Sequence, residues 1–231
     1  MLLIIASRYD AVAQTFVDQW SDREVGLLTS QDLSVKGWRW DTANSPEAIG
    51  VVGGKTVAAR QIRGVLTRLP AVTETELPQI VPSDRAYVAA EMTAFLSGWL
   101  NSLSCPLLNC PTATCLMGPN WSAQAWRLAA SQLGIPVQPL HQEIQWGLPS
   151  PVQNAREGIG VTVIGDRTVG DADPHLHNQA KQLAAFAEVH LLTARFSSNT
   201  ATATLVGVDL WADIAKPTIA SAIWNYLSGT I

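Results

Sequence analysis

Short, fully apolar runs alternate with segments of helical period, and this alternation constrains the fold more than any other feature of the chain. Leu2-Leu3-Ile4-Ile5-Ala6 is five apolar residues in a row, with no polar position to face water. A half-solvated strand alternates, whereas a strand covered on both faces reads continuously, as in a parallel sheet between helices. Asp10 then offers an N-cap, and Val12, Phe16 and Val17 recur at helical spacing up to Trp20. Val25–Thr29 and Ile62–Thr67 read as further strands. Between them, Val51-Val52-Gly53-Gly54-Lys55 reads as a hairpin with a glycine turn. The helix predicted from Asp84 to Leu103 places Tyr87, Val88, Met92, Phe95, Leu96, Trp99, Leu100 and Leu103 on one wide stripe. The pattern predicts an α/β protein with a mainly parallel N-terminal sheet.

The second part of the chain reads differently. A helix over Ser122–Leu133, with Trp121, Ala125, Leu128, Ala129 and Leu133 inward, ends at Gly134. Residues 139–158 crowd proline, glutamine and asparagine without periodicity and read as a linker or long surface loop. Two β-like runs then surround the Gly165-Asp166 turn, and Asp173-Pro174 supplies an N-cap and first helical residue. Val189–Phe196 and Ala203–Val208 read as strands, and Pro217 opens a last helix closed by Gly229. The expected organisation is an α/β domain over 1–138, a linker over 139–158, and a β-β-α-β-β-α unit over 159–231.

Composition narrows the function classes. Hydrophobic residues are 47% of the chain and charged residues 15%, enough to build a core and too apolar for a disordered segment. The net charge of −4 supplies no basic field, so neither nucleic acid nor an anionic membrane is an expected partner. The apolar start is shorter than the roughly 20 residues of a membrane span, and it lacks a basic region before it. Three cysteines, an odd number, favour reduced thiols and a cytoplasmic location.

No short motif carries chemistry. Gly50-x-x-Gly53-Gly54-Lys55-Thr56 is too closely spaced for a phosphate loop, and no dinucleotide fingerprint occurs. Cys105, Cys110 and Cys115 lie five apart, without the paired spacing of thiolate metal sites. His175 and His177, two apart at a helix start, point about 200° apart and do not face one ion. No nucleophile elbow is present. His190 reads as a sheet histidine, Glu91 as a partner of Arg85 or Arg68, and Trp38-x-Trp40 as packing residues or a ligand platform. Neither a catalytic residue nor a metal ligand is predicted.

The order of weaker motifs does carry a resemblance. Ile62-Arg63-Gly64-Val65-Leu66-Thr67-Arg68 precedes Tyr87-Val88-x-x-Glu91 and Phe95-x-x-Gly98-Trp99-Leu100. Cys105-Pro106-Leu107-Leu108-Asn109-x-Pro111, Leu116-x-Gly118, Trp126 and Gly134-Ile135-Pro136-Val137 follow. Together they resemble the N-terminal half of ATP-grasp ligases, nearest the RimK-like and graspetide-maturing group. Val161–Arg167, Ala184–Leu192 and Ile219–Leu227 resemble the end of the same family.

The resemblance implies ATP and Mg²⁺ as cofactors, two lysines near the triphosphate, and acidic or asparagine metal ligands. Here the chain departs from the pattern. Between Val137 and Val161 there are 23 residues and no lysine, and no lysine occurs from Thr56 to Ala180. The metal-ligand element resembles Gly207-Val208-Asp209, and the acidic residue of the preceding strand falls near Ala194. A shortened, degenerate relative is therefore expected, lacking most of the nucleotide-binding subdomain, with its two retained pieces packed together and no cofactor. Its expected role is a non-catalytic binding partner or accessory subunit, homodimeric or beside a larger ligase. The alternatives are a minimal carboxylate–amine ligase and a small-molecule sensor. Any surviving cleft lies at the carboxyl ends of the parallel strands. Arg8 and Arg68 would bind an anion there unless salt-bridged to neighbours, and Tyr87, Glu91 and Asn109 would line the old acceptor cleft.

Overall fold

The computed structural model describes residues 1–20, 22–41, 47–138 and 158–229. The expected linker over 139–158 therefore lies, but for its last residue, outside the described residues. By internal contacts the chain forms two units, one of Met1–Asn120 with Asp213–Ile231, the other of Trp121–Ala212. The division into 1–138, 139–158 and 159–231 rests on the change of sequence pattern and is a proposal distinct from these contact units.

The first unit is an α/β structure. β1 (Leu2–Ala6), β2 (Val25–Leu28), β5 (Gly64–Arg68) and β6 (Leu107–Leu108) form a parallel sheet in the order β2-β1-β5-β6. All five β1 residues are buried, as their unbroken apolar run requires of a strand covered on both faces. Leu3, Ile5 and Val65 enter one core with Ala89, Leu96, Trp99 and Leu100 of α2 (Arg85–Asn101). Each valine, leucine or isoleucine side chain buried this way contributes about 1.5–3 kcal/mol relative to exposure.

The intervening residues project from the opposite face by the pleat of the strand. There, α1 (Ala11–Gln19) and α5 (Pro217–Ser228) meet through Trp20 and Trp224, whose rings lie 4.5 Å apart edge to face. Arg23 sets its guanidinium 4.8 Å from both rings. At Gly64 a side chain would meet the Leu227 carbonyl oxygen at 2.8 Å, so glycine lets α5 rest directly on β5. β3 (Ile49–Val52) and β4 (Lys55–Ala58) form the expected hairpin. Its turn residues, Gly53 and Gly54, take φ +56° and +75°, which glycine adopts without cost.

The second unit is an antiparallel sheet with two helices. β7 (Ile159–Ile164), β8 (Arg167–Val169), β9 (Leu191–Phe196) and β10 (Leu205–Asp209) run in the order β10-β9-β7-β8. Val161, Val163, Leu192, Ala194 and Phe196 face a core shared with Trp126 and Ala130 of α3 (Ala123–Gln132). Leu176, Ala180, Leu183 and Ala184 of α4 (Pro174–Phe186) complete it. Asp173 caps α4 at the His175 amide, 2.8 Å away, with Pro174 following as expected.

Two side-chain expectations are corrected. Leu128, expected inward on α3, is 61% exposed, whereas Trp126 and Ala130 are buried. Ser122 caps the helix at the Ala125 amide; the bulky Trp126 takes the inner face, and Leu128 lies about 200° round from it. His190 precedes β9 and is exposed, because the strand begins only at Leu191. Among the described residues no helix is long and apolar enough to cross a membrane.

Candidate functional site

The chain leaves β1 for β2 on one side and returns to β5 on the other. Open α/β sheets gather their ligands outside the carboxyl ends of the strands at such a reversal. Ser7 and Arg8 follow β1, Ser30 lies beyond β2, and Thr67-Arg68 ends β5.

The protein fills this place with its own side chains. Glu76, 4% exposed, accepts hydrogen bonds from Ser7 Oγ at 2.5 Å and Ser30 Oγ at 3.0 Å. Arg68, also 4% exposed, donates Nε to Asp10 Oδ2 at 2.9 Å. Asp10 Oδ1 accepts the Ala13 amide at 3.0 Å, so one carboxylate both caps α1 and neutralises the arginine. Asn109, after β6, donates Nδ2 to the Met117 carbonyl at 3.1 Å. Arg8 donates to the Tyr9 hydroxyl and lies 4.6 Å from the centre of that ring.

The sequence-predicted residues thus fall into two groups. Arg8, Arg68 and Asn109 stand at successive strand ends, whereas Tyr87 and Glu91 stand on α2. Tyr87 is 69% exposed: it lies at the edge of the apolar stripe, whose buried side is taken by Ala89, Leu96, Trp99 and Leu100. The expected partners of Glu91 are committed elsewhere. Arg68 holds Asp10, and Arg85 donates to the carbonyls of Ile80 and Pro78 at 2.8 and 3.3 Å. Glu91 instead lines a groove of about 500 Å³ between α2 and residues 33–38, with Lys36, Trp38, Met92 and Phe95.

The strand ends carry both signs of charge, the carboxylates of Asp10 and Glu76 and the guanidinium groups of Arg8 and Arg68. Glu76 was not legible as a site residue, because Thr73-Glu74-Thr75-Glu76 reads only as a polar loop.

The place that the resemblance assigns to magnesium can be inspected in the same way. Asp209 pairs across β10 and β9 with Thr193, and Val208 with Ala194, so no acidic residue stands opposite. Asp209 Oδ2 instead accepts from Arg195 Nη2 at 3.1 Å. A magnesium ion that bridges phosphates needs carboxylate oxygens on it, and this donor set does not fit one. Among the described residues no three His, Cys, Asp or Glu side chains gather as a metal site.

No protein-family profile and no curated protein matches the sequence. Solved structures do match it. The ATP-grasp ligase PsnB complexed with minimal precursor, Mg and ADP superposes with a TM-score of 0.64 at 12% identity, over 97% of this chain and 98% of that one. The macrocyclase MdnC bound with precursor peptide MdnA, from Microcystis aeruginosa MRC, gives 0.66 at 11% identity over the full length of both. A Chryseobacterium gregarium RiPP-associated ATP-grasp ligase, in complex with ADP and a leader and core peptide, gives 0.63 at 8% identity, over 100% of this chain and 97% of that one. The chain has an ATP-grasp-like fold, as its motif order implied. At such identities the likeness extends to the fold and no further.

Proposed function

We propose that the protein is a non-catalytic member of this fold class that acts as a binding partner or accessory subunit, beside a peptide or amino-acid ligase or as a homodimer. One observation carries the reading: two charged side chains that the resemblance assigns to ligands, Arg68 to an anion and Asp209 to magnesium, are paired within the protein. Arg68 is held by Asp10 and Asp209 faces Arg195. Residues 56–180, which include the segment expected to bear the triphosphate lysines, contain none.

The second reading, an ATP-dependent carboxylate–amine ligase, is favoured by one fact. The fold likeness runs over nearly the whole length of ligases captured with Mg and ADP. Equilibrium dialysis of the full chain against Mg·ATP separates the two. Absence of saturable binding at millimolar nucleotide, with a stable complex on co-purification or a dimeric native mass, supports the accessory role. Magnesium-dependent saturation overturns it.

A further inference from the structure

The groove on α2 has the composition of a ligand site, and none of the strand-end residues lines it. Its floor and walls are the apolar side chains of Leu33, Val35, Trp38, Met92 and Phe95, with a volume of about 500 Å³. That is the size and character of small-molecule pockets, which are mostly apolar with a few placed polar groups. Two charged groups border it: Lys36 on the loop and Glu91 on the helix. Neither makes an ion pair or hydrogen bond among the described residues.

The walls are built rather than incidental. Trp38 packs edge-on against Phe95 and Trp99, at 5.2 Å in both cases, and its indole Nε1 donates to the Asp32 carbonyl at 2.8 Å. The buried Asp32 carboxylate accepts the Gly54 amide at 2.8 Å and the Thr29 amide at 2.9 Å, tying the loop to the hairpin turn and to the end of β2. A ligand therefore meets preformed aromatic walls and need not order them, which lowers the cost of binding.

We infer that this groove binds a small zwitterion with an apolar body, of the class of hydrophobic dipeptides. Glu91 receives the ammonium, Lys36 the carboxylate, and Trp38, Met92 and Phe95 pack against the side chains. A zwitterion gives each of the two exposed border charges an opposite partner, whereas a ligand with one charge engages only one of them. The inference is independent of the accessory role, since the groove is separate from the strand-end residues on which that role rests.

Calorimetric titration of the full chain with phenylalanyl-leucine tests it, alongside the N-acetylated and C-amidated forms. Saturable binding is expected, weakened about fivefold or more by either cap, as the loss of one charge-assisted contact requires. Glu91→Gln should abolish the penalty for acetylation alone, and Lys36→Gln the penalty for amidation alone. Both positions are exposed, and an unchanged thermal midpoint confirms that the variants fold. Absence of saturable binding at millimolar dipeptide overturns the inference. So does equal binding of capped and uncapped forms, which marks a general apolar surface, or a variant that leaves its cap penalty intact.

Discussion

Arg68 Nε lies 2.9 Å from Asp10 Oδ2 with both side chains largely buried, at the carboxyl end of the parallel sheet, where open α/β sheets gather ligands. The same aspartate caps α1, so one residue joins strand order, helix start and the neutralisation of a buried cation.

Replacing Asp10 with alanine should therefore be severe. It takes the Asp10 carboxylate from the buried Arg68 guanidinium, costing about 1.5–3 kcal/mol as a lost hydrogen bond between charged groups, and removes a helix cap worth about 1 kcal/mol. Asp10→Ser keeps a cap and should recover about 1 kcal/mol of that loss. Adding Arg68→Met to Asp10→Ser should restore most of the rest, because an apolar pair needs no counter-charge. Urea denaturation of the three variants checks the order.

Glu76 is expected to matter for stability although it belongs to no motif. Glu76→Gln weakens two charge-assisted hydrogen bonds, from Ser7 and Ser30, and should cost about 1.5–3 kcal/mol. Ser30→Ala removes one of them and should cost less. Denaturation midpoints at neutral pH measure both.

Gly64→Val should unseat α5. Its added carbons meet the Leu227 carbonyl and Cβ, both already at 2.8 Å from a first side-chain carbon, so strain of about 1–3 kcal/mol follows. Hydrogen exchange of the amides over 217–228 should rise well above that of α2 in the same variant.

Burial pushes the Cys105 thiol above its ordinary range, against smaller opposing effects of a hydrogen bond to its own backbone and the N-terminal charge. A raised thiol pKa means that the unfolded chain loses this proton first. The contribution is complete below the ordinary thiol range, and stability falls as pH rises through and above it. Alkylation followed by peptide mass spectrometry should find the exposed Cys110 modified before Cys105 at pH 8.

The parts of the fold fixed by local chemistry were legible in the sequence. β1 is an unbroken apolar run, α4 opens on Asp173-Pro174, the hairpin turns on Gly53-Gly54, and α5 ends at Gly229 with φ +67°. The phase of α3 was not, because Leu128 and Trp126 compete for the same face and only packing decides between them. The strand-end site was half legible. The strand order predicted where Arg8, Arg68 and Asn109 stand, but Glu76 reaches Ser7 and Ser30 across 69 and 46 residues of sequence. The groove on α2 joins Lys36 to Glu91 over a comparable distance along the chain, so neither charge announced the other.

The account turns on whether the chain grips a nucleotide. Titration of the full protein with ATP, with and without magnesium, measures this directly. The predicted result is no saturable binding up to millimolar concentration in either condition. Saturable binding that requires magnesium, followed by ADP release when a carboxylate and an amine are supplied, would contradict it.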